Sequence, residues 1–386
     1  MPPLRLYLTA MKPTDSVTHG FLPAARALGC EVTILTDRPE QHPDAVRCDV
    51  RDPRALIDAI EHLGRPDAVF TNSDHLQTET ALAASYFGLP GKDWRACLAA
   101  KNKYLMRRRL AEAGVEHVRS VRLPPRGPPP GPPAPRPLPY PLVVKPREGV
   151  ASEDVLLVED GLDKAVAQVR ERRPGEAVVV EEYLQGPLRT LETLGDGARV
   201  EVLGGFRTTL GPPPHFVEER LDWDPAPPDP HLPAALRALG VGFGACHTEY
   251  VDTPAGPRVV EVNYRVIGDH CDFLLADLLD LPLFELVLRV HLGEPLPALT
   301  RPGGYGTAVS VVADRSGVIT AAPGPAELAD GEVRLWHRPL RGVGETVELT
   351  HTNRDYLGVI RAVGPSRERV ERAVTAFRAA QPWVIS

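Results

Sequence analysis

Three clusters of charged residues, far apart along the chain, have the types and spacing to handle a phosphate-bearing nucleotide. The densest is HTEYVDTPAGPRVVEVNYR at 247–265. Two strands joined by the DTPAGP turn set Glu249 opposite Glu261, twelve positions on, and strand alternation carries Glu261, Asn263 and Arg265 on one face. Two carboxylates and an amide oxygen are hard ligands of the kind Mg²⁺ takes, the rest of its sphere being left to water and phosphate. Arg265 offers a fork of donors for a transferring phosphoryl group. A hairpin with a merely polar face would alternate too. Val260 and Val262, however, read as the apolar side of a buried strand whose other side is loaded with acid.

The second cluster is a pair of lysines, Lys103 in KNKYLM and Lys145 at the end of PLVVKP. An ammonium in such a place is costly to bury unless it meets an anion, and phosphate is the usual one. The following loop, PREGVASEDV, carries Gly149, Ala151 and Ser152, whose backbone N–H groups can approach phosphate oxygens closely. Taken alone the loop is weak evidence, since most such loops merely turn the chain. The third cluster is VVVEEYLQG, in which Glu181, Glu182, Tyr183 and Leu184 leave an apolar strand. Adenine needs a backbone donor and acceptor at an edge like this, plus a carboxylate for its amino group. Ordinary solvent-facing glutamates explain the stretch equally well.

The elements around these clusters are legible from periodicity. LRLYLT (4–9), EVTILT (31–36) and DAVFTNS are strands, and a helix over 17–28 ends at Gly29. A second helix is capped by Asp52, opens on Pro53, carries the stripe Leu56, Ile57, Ile60 and Leu63, and stops at Gly64. This βαβαβ order predicts a parallel sheet with ligand-facing loops at the carboxyl ends of its strands. The first turn, TAMKPTDSVTHG, lacks the G-x-G-x-x-G fingerprint of a dinucleotide site. A helix over KNKYLMRRRLAEAG opens a new unit, and the proline-dense 124–141 reads as a linker or surface loop. Beyond it come a small strand–helix–strand module, a larger module with the Leu-rich segment near 274–292, and a mixed tail with a last helix through Val370, Val374 and Phe377. The expected units are 1–97, 98–190, 191–300 and 301–386.

With 386 residues, 43% hydrophobic and 25% charged, the chain belongs to the globular class, and its net charge of −7 argues against nucleic-acid or anionic-membrane partners. No apolar run reaches a membrane span or a signal peptide, so a cytoplasmic location is expected. The five cysteines are scattered without a C-x-x-C pair and are expected as reduced, buried thiols.

In their order along the chain these motifs resemble the ATP-grasp superfamily: NK at Lys103, VVKP at Lys145, EEYL at 181–184, HTEY at Glu249 and EVNYR at 261–265. The likeness covers most of the chain. It implies an α/β ATP-grasp fold, with an N-terminal pre-ATP-grasp parallel-sheet domain, a small lid module and a larger C-terminal α+β domain. It also implies that Lys103, Lys145 and the loop around Gly149 and Ser152 hold ATP phosphates. Glu181 with the 182–184 backbone would hold adenine, Glu249, Glu261 and Asn263 would bind Mg²⁺, and Arg265 would face the γ-phosphate. Two departures stand out. Leu188 occupies the position of the usual ribose-binding acid, so that ribose binding either shifts to Glu192 or is weaker, and the usual Asn-Pro-Arg reads NYRVIGDHCD.

The resemblance implies a carboxylate–amine ligase working through an acyl phosphate, on an amino acid or a siderophore or other secondary-metabolite precursor. Its relatives are often dimers. A small-molecule kinase and a non-catalytic nucleotide-binding regulator are the alternatives. Asp269 and His270 after the metal strand, and Asp74 at the carboxyl end of an N-terminal strand, are the substrate candidates. Asp269 as a cap for the helix near Cys271, and Asn72 or Ser73 as a cap for the helix at 75–87, are the structural alternatives.

Overall fold

The computed structural model describes residues 3–127, 138–300 and 303–386. Most of the proline-dense linker expected at 124–141, namely 128–137, lies outside the described residues.

The N-terminal unit is a parallel sheet of β1 (Leu4–Thr9), β2 (Cys30–Thr36), β3 (Val46–Arg47) and β4 (Ala68–Phe70), in the order β3-β2-β1-β4. Both of its faces are covered, which is why its strands read as nearly continuous apolar runs. Leu6 and Leu8 pack with Phe21 and Phe70 on one face, and Tyr7 and Val69 with Leu56 and Ile60 on the other. The helix Pro53–Leu63 starts as the sequence predicts, Asp52 accepting from the Arg54 N–H at 2.9 Å. The expected helix over 17–28 is instead a π-helical stretch, Ser16–Phe21, followed by an α-helix, Leu22–Ala27. Pro23 lacks an N–H and its ring crowds the carbonyl four residues back, and a wider turn before it relieves that clash.

The helix expected over KNKYLMRRRLAEAG is Lys103–Glu112, preceded by a helix without counterpart in the sequence reading, Trp94–Lys101; between them Asn102 leaves helical geometry (φ −97°, ψ 98°) and caps the second by accepting from the Leu105 N–H at 3.0 Å. Lys103 thereby becomes the first residue of a helix, and its N–H reaches the Arg147 carbonyl at 3.1 Å.

A small antiparallel module follows, made of β5 (Ser120–Leu123), β6 (Leu142–Pro146), β7 (Leu156–Val158) and β8 (Val178–Glu182) in the order β5-β8-β6-β7. The helix Leu162–Arg172 buries Val166 and Val169 against it. β5 has no counterpart in the sequence reading.

The largest sheet begins with β9 (Leu188–Asp196), β10 (Val200–Leu210), β11 (Glu218–Asp224), β12 (Phe243–Thr253) and β13 (Gly256–Asn263). The C-terminal segment adds β14 (Tyr305–Val312), β15 (Gly317–Ala321), β16 (Ala326–Asp330), β17 (Val333–Pro339), β18 (Thr346–Val347), β19 (Tyr356–Gly364) and β20 (Val384–Ile385). Nine of these strands form one sheet, β13-β12-β9-β10-β11-β14-β19-β17-β16, which runs through position 300, where a unit boundary was expected. The Leu-rich helices Cys271–Leu279 and Leu283–His291 lie between this sheet and the N-terminal unit, sharing one core with Leu8, Phe21 and Leu194. Burying each such side chain is worth about 1.5–3 kcal/mol. All five cysteines are buried and free. Among the described residues no helix is long and apolar enough to cross a membrane.

Candidate active site

Loops after β1, β2 and β4, the strand ends of the small module and one face of the large sheet enclose a cavity of about 1030 Å³. Small-molecule sites run from about 300 to 1,000 Å³, so this one has room for a nucleotide and a second substrate. Lys103, Lys145, Gly149, Ser152, Glu181 to Leu184, Glu249, Glu261, Asn263, Arg265, Asp74, Asp269 and His270 all line it.

The acidic wall is built by the β12–β13 hairpin, in which Glu249 is the register partner of Glu261 and His247 that of Asn263. The register slips by one residue beside Glu249, where Tyr250 already pairs with Val259. This bulge corrects the simple alternation read from sequence: Val259 and Val262 enter the core, while Val260 joins Glu261 and Asn263 on the cavity side. Arg265 lies beyond the strand and reaches the cavity through a tight turn, its N–H bonding the Asn263 carbonyl at 2.7 Å. Tyr264, standing where proline is usual, locks that turn: its hydroxyl accepts from the Gly242 and Phe243 N–H groups at 3.2 and 3.1 Å.

Electrostatics test whether a cation suits this wall. Glu218, on β11, also faces the cavity; burial first, then the neighbouring Glu249, Asp269 and Glu261 carboxylates, hold its carboxyl well above the usual range. Carboxylates crowded in this way favour a bound cation beside them. Among the described residues no three His, Cys, Asp or Glu side chains gather as a metal-holding set. Two glutamates and an asparagine suit a hard cation that completes its shell from water and phosphate rather than a protein-only cage. His247, beneath the wall, bonds Glu192 at 2.8 Å and approaches Glu249 at 3.5 Å. Burial opposes its charge, yet these two acids push its pKa up to about 10.

The basic wall comes from different elements. Lys103 reaches Glu261 at 2.8 Å and Lys145 reaches Glu181 at 2.7 Å, all four side chains being largely enclosed. Burial lowers the pKa of Lys145, with Glu181 working the other way. Glu181 also takes two bonds from Arg107, at 3.0 and 3.1 Å, and Arg107 in turn meets Glu116 at 3.0 Å. The Glu181 carboxylate is thus occupied in fixing Lys145, and the Glu182 carboxylate is held by Arg119 at 2.7–2.8 Å. What the 181–184 segment offers an adenine is backbone. The Glu182 and Tyr183 N–H groups are already bonded, to Arg119 and Pro141 carbonyls, and Leu184 is the next residue out. In the loop after Lys145, Ala151 and Ser152 adopt left-handed conformations, with φ of 60° and 54°. A Cβ on Gly149 would come within 3.2 Å of the Pro146 ring.

Glu192, expected to take over the ribose, does not line the cavity. It is 2% exposed and bonded to Thr190 and His247 behind the wall, because the β9 register turns it inward, whereas Leu188 does line the cavity. The capping alternatives are not realised either. The helix at Cys271 has His270 at its cap position with no side-chain cap bond, and the helix Gln77–Tyr86 has Leu76 there. Asp269 and His270 both stand in left-handed backbone (φ 53° and 63°) and turn toward the cavity.

Several lining residues were not found in the sequence. Asp15 bonds His270 at 2.8 Å and Arg338 at 2.7 and 3.0 Å, joining three parts of the chain. The one available signal was its place at the carboxyl end of the first parallel strand. Arg107 was hidden in an RRR run that reads as a solvated helix face, and Glu218 in a strand without a motif. Lys92, buried and outside the cavity lining, donates to Gln77 at 2.7 Å and to the Tyr264 carbonyl, and burial lowers its pKa to about 8.

No protein-family model matches the chain. The uncharacterized protein y4rH of Sinorhizobium fredii is 28% identical over 416 aligned positions, which span 99% of this chain and 84% of that protein. Among solved structures, the L-amino acid ligase from Bacillus licheniformis superposes with a TM-score of 0.81 at 22% identity, covering 99% of each chain. The biotin carboxylase domain of the Hydrogenobacter thermophilus 2-oxoglutarate carboxylase, crystallised with MgADP, ADP and bicarbonate, superposes with a TM-score of 0.69 at 14% identity, covering 100% of this chain and 91% of that one. The fold shared with these proteins is the ATP-grasp fold.

Proposed function

We propose that this chain is an ATP- and Mg²⁺-dependent, ADP-forming carbon–nitrogen ligase that joins a small carboxylic acid to an amine. One observation carries the reading: Lys103, Lys145, Glu249, Glu261, Asn263 and Arg265, drawn from two units, line a single cavity large enough for two substrates. A pure nucleotide sensor has little use for both a metal wall and a charge clamp. The L-amino acid ligase among the fold neighbours supports the same chemistry, and the MgADP bound to the biotin carboxylase domain supports the cofactor.

When bound, Mg²⁺ATP supplies the phosphoryl group and the charge neutralisation for in-line transfer to a carboxylate oxygen. The chain does the rest by positioning. Lys103 and Lys145 take phosphate oxygens, exchanging the carboxylates they hold for stronger anions, while Gly149 to Ser152 supply backbone donors. Glu249, Glu261 and Asn263 hold the cation. Leu184 and the strand edge before it receive adenine. Arg265, oriented by Asp74, neutralises charge on the transferring phosphoryl group and on the acid that accepts it. The resulting acyl phosphate is attacked by the amine nitrogen; the carbon–oxygen bond to phosphate breaks, and the departing phosphate takes up the proton that the amine gives up. Closure of the 140–190 module excludes the water that would hydrolyse the intermediate. The acid is an amino acid or a precursor of a siderophore or other secondary metabolite, with Asp74, Asp269 and His270 at its end of the cavity.

Release of ADP and phosphate against a panel of acids and amines tests the proposal. Release that needs both partners supports the ligase. A stable phosphorylated product would indicate a kinase instead, and nucleotide binding with no turnover on any pair would indicate a regulator.

A further inference from the structure

The phosphate-facing loop of the small module contains three non-glycine residues in left-handed backbone, Ala151, Ser152 and Asp154 (φ 60°, 54° and 59°). Such conformations persist where neighbouring structure enforces them. The neighbour here is the 350–356 segment of the C-terminal unit, which is rigid on its own account. Buried Asp355 gathers the Thr350 and His351 N–H groups at 3.0 and 2.7 Å and closes a capping box with Thr352. From this platform the Asn353 N–H donates to the Ala151 carbonyl at 3.1 Å and Arg354 Nε to Glu153 at 2.6 Å. The same platform, itself lining the cavity, grips the Glu218 backbone: Asn353 Oδ1 accepts the Glu218 N–H at 3.0 Å, and the Tyr356 hydroxyl donates to the Glu218 carbonyl at 2.6 Å.

We propose that the 350–356 segment is a latch, with Asn353 and Arg354 as positioning residues that hold the 149–154 loop in its phosphate-receiving shape and fix it relative to the carboxylates around Glu218. Its effect on nucleotide rests on the function proposed above; its effect on the loop does not.

The N–H contact can be removed with little other change. Asn353 is the first residue of a short 3₁₀ turn, where a missing N–H breaks no internal bond, and Thr352 before it is extended (φ −133°, ψ 173°) as a residue preceding proline must be. Asn353→Pro therefore removes the bond to Ala151, whereas Asn353→Ala keeps it and loses only the bond to Glu218. In the full-length protein, hydrogen exchange of amides 149–155 should quicken about tenfold in Asn353→Pro and in Arg354→Glu, the worth of one such bond, and little in Asn353→Ala or Arg354→Lys. The Kd for a Mg²⁺-bound non-hydrolysable ATP analogue should rise about tenfold in the first two variants only. Unchanged loop exchange in both would overturn the latch, as would equal quickening across β17 and β19, which would mean general loosening of the C-terminal unit. A wild-type protein that binds no nucleotide would instead refute the function proposed above, and loop exchange would still decide the latch.

Discussion

Asp74 Oδ2 and Arg265 Nε stand 2.6 Å apart in the lining of the cavity, linking residues 191 positions apart. Arg265 also donates to the Val266 carbonyl at 2.6 Å, so its guanidinium is held from two sides. Burial works against the Asp74 charge, but Arg265 and Lys101 together keep its pKa below the ordinary value.

This pair predicts a separation between binding and turnover. Asp74→Asn keeps the shape and releases Arg265, so ADP formation should drop about tenfold or more while MgATP affinity stays within about twofold. Asp74→Ala leaves a largely enclosed guanidinium without its partner and should also cost about 3 kcal/mol of stability in denaturant unfolding. Unaltered turnover in Asp74→Asn would remove Asp74 from the mechanism.

Glu181 should matter through Lys145. Burial raises its pKa, but Arg107 and Lys145 outweigh burial and hold it at about 2. The folded value lies below the unfolded one, so this stability is present above pH ~4.5 and is lost as pH falls toward 2. Glu181→Gln should therefore cost about 3 kcal/mol near pH 7, with the gap to wild type closing between about pH 4.5 and 2 in urea titrations. A pH-independent gap would mean that the pair contributes no charge-dependent stability.

Cation and nucleotide should stabilise the fold only together. MgATP at about 100 times its Kd should add about 2.7 kcal/mol, a rise of a few degrees in Tm, and excess chelator should abolish that gain. Glu261→Gln and Glu249→Gln should weaken it sharply. A gain of the same size with ATP and chelator would show that the β12–β13 wall holds no cation.

Asp269 caps no helix, so Asp269→Ala should lower ADP release about tenfold or more while shifting unfolding by less than about 1 kcal/mol. Equal loss of activity and stability would return Asp269 to a structural role. Asp269→Gly, which suits the positive φ, separates backbone strain from loss of the carboxylate.

Much of the site was readable because its chemistry is written in local patterns. The spacing of Glu249, Glu261 and Asn263, the strand ending at Lys145 and the EEYL segment each follow from alternation and strand-end position. The N-terminal elements were readable for the same reason, down to the Asp52 cap. Side-chain direction across irregular backbone was not: the bulge at Val260, the turn that delivers Arg265 and the inward rotation of Glu192 all depend on register between strands. The π-helical stretch before Pro23 was missed because it sits inside convincing helical periodicity, and the helix Trp94–Lys101 because its short Ala-rich run carries little apolar period of its own.

The sequence by itself determined which residue types were available and on which strand or helix end most of them sit, since hydrophobic period and turn chemistry act over a few neighbouring residues. Tertiary structure alone decided which charges meet: Asp74 with Arg265, Asp15 with His270 and Arg338, Arg107 with Glu181, and the 350–356 segment with the phosphate loop. Those pairings join residues tens to hundreds of positions apart, and the Coulomb and hydrogen-bond energies that select them exist only once the sheets have brought the partners within a few ångströms.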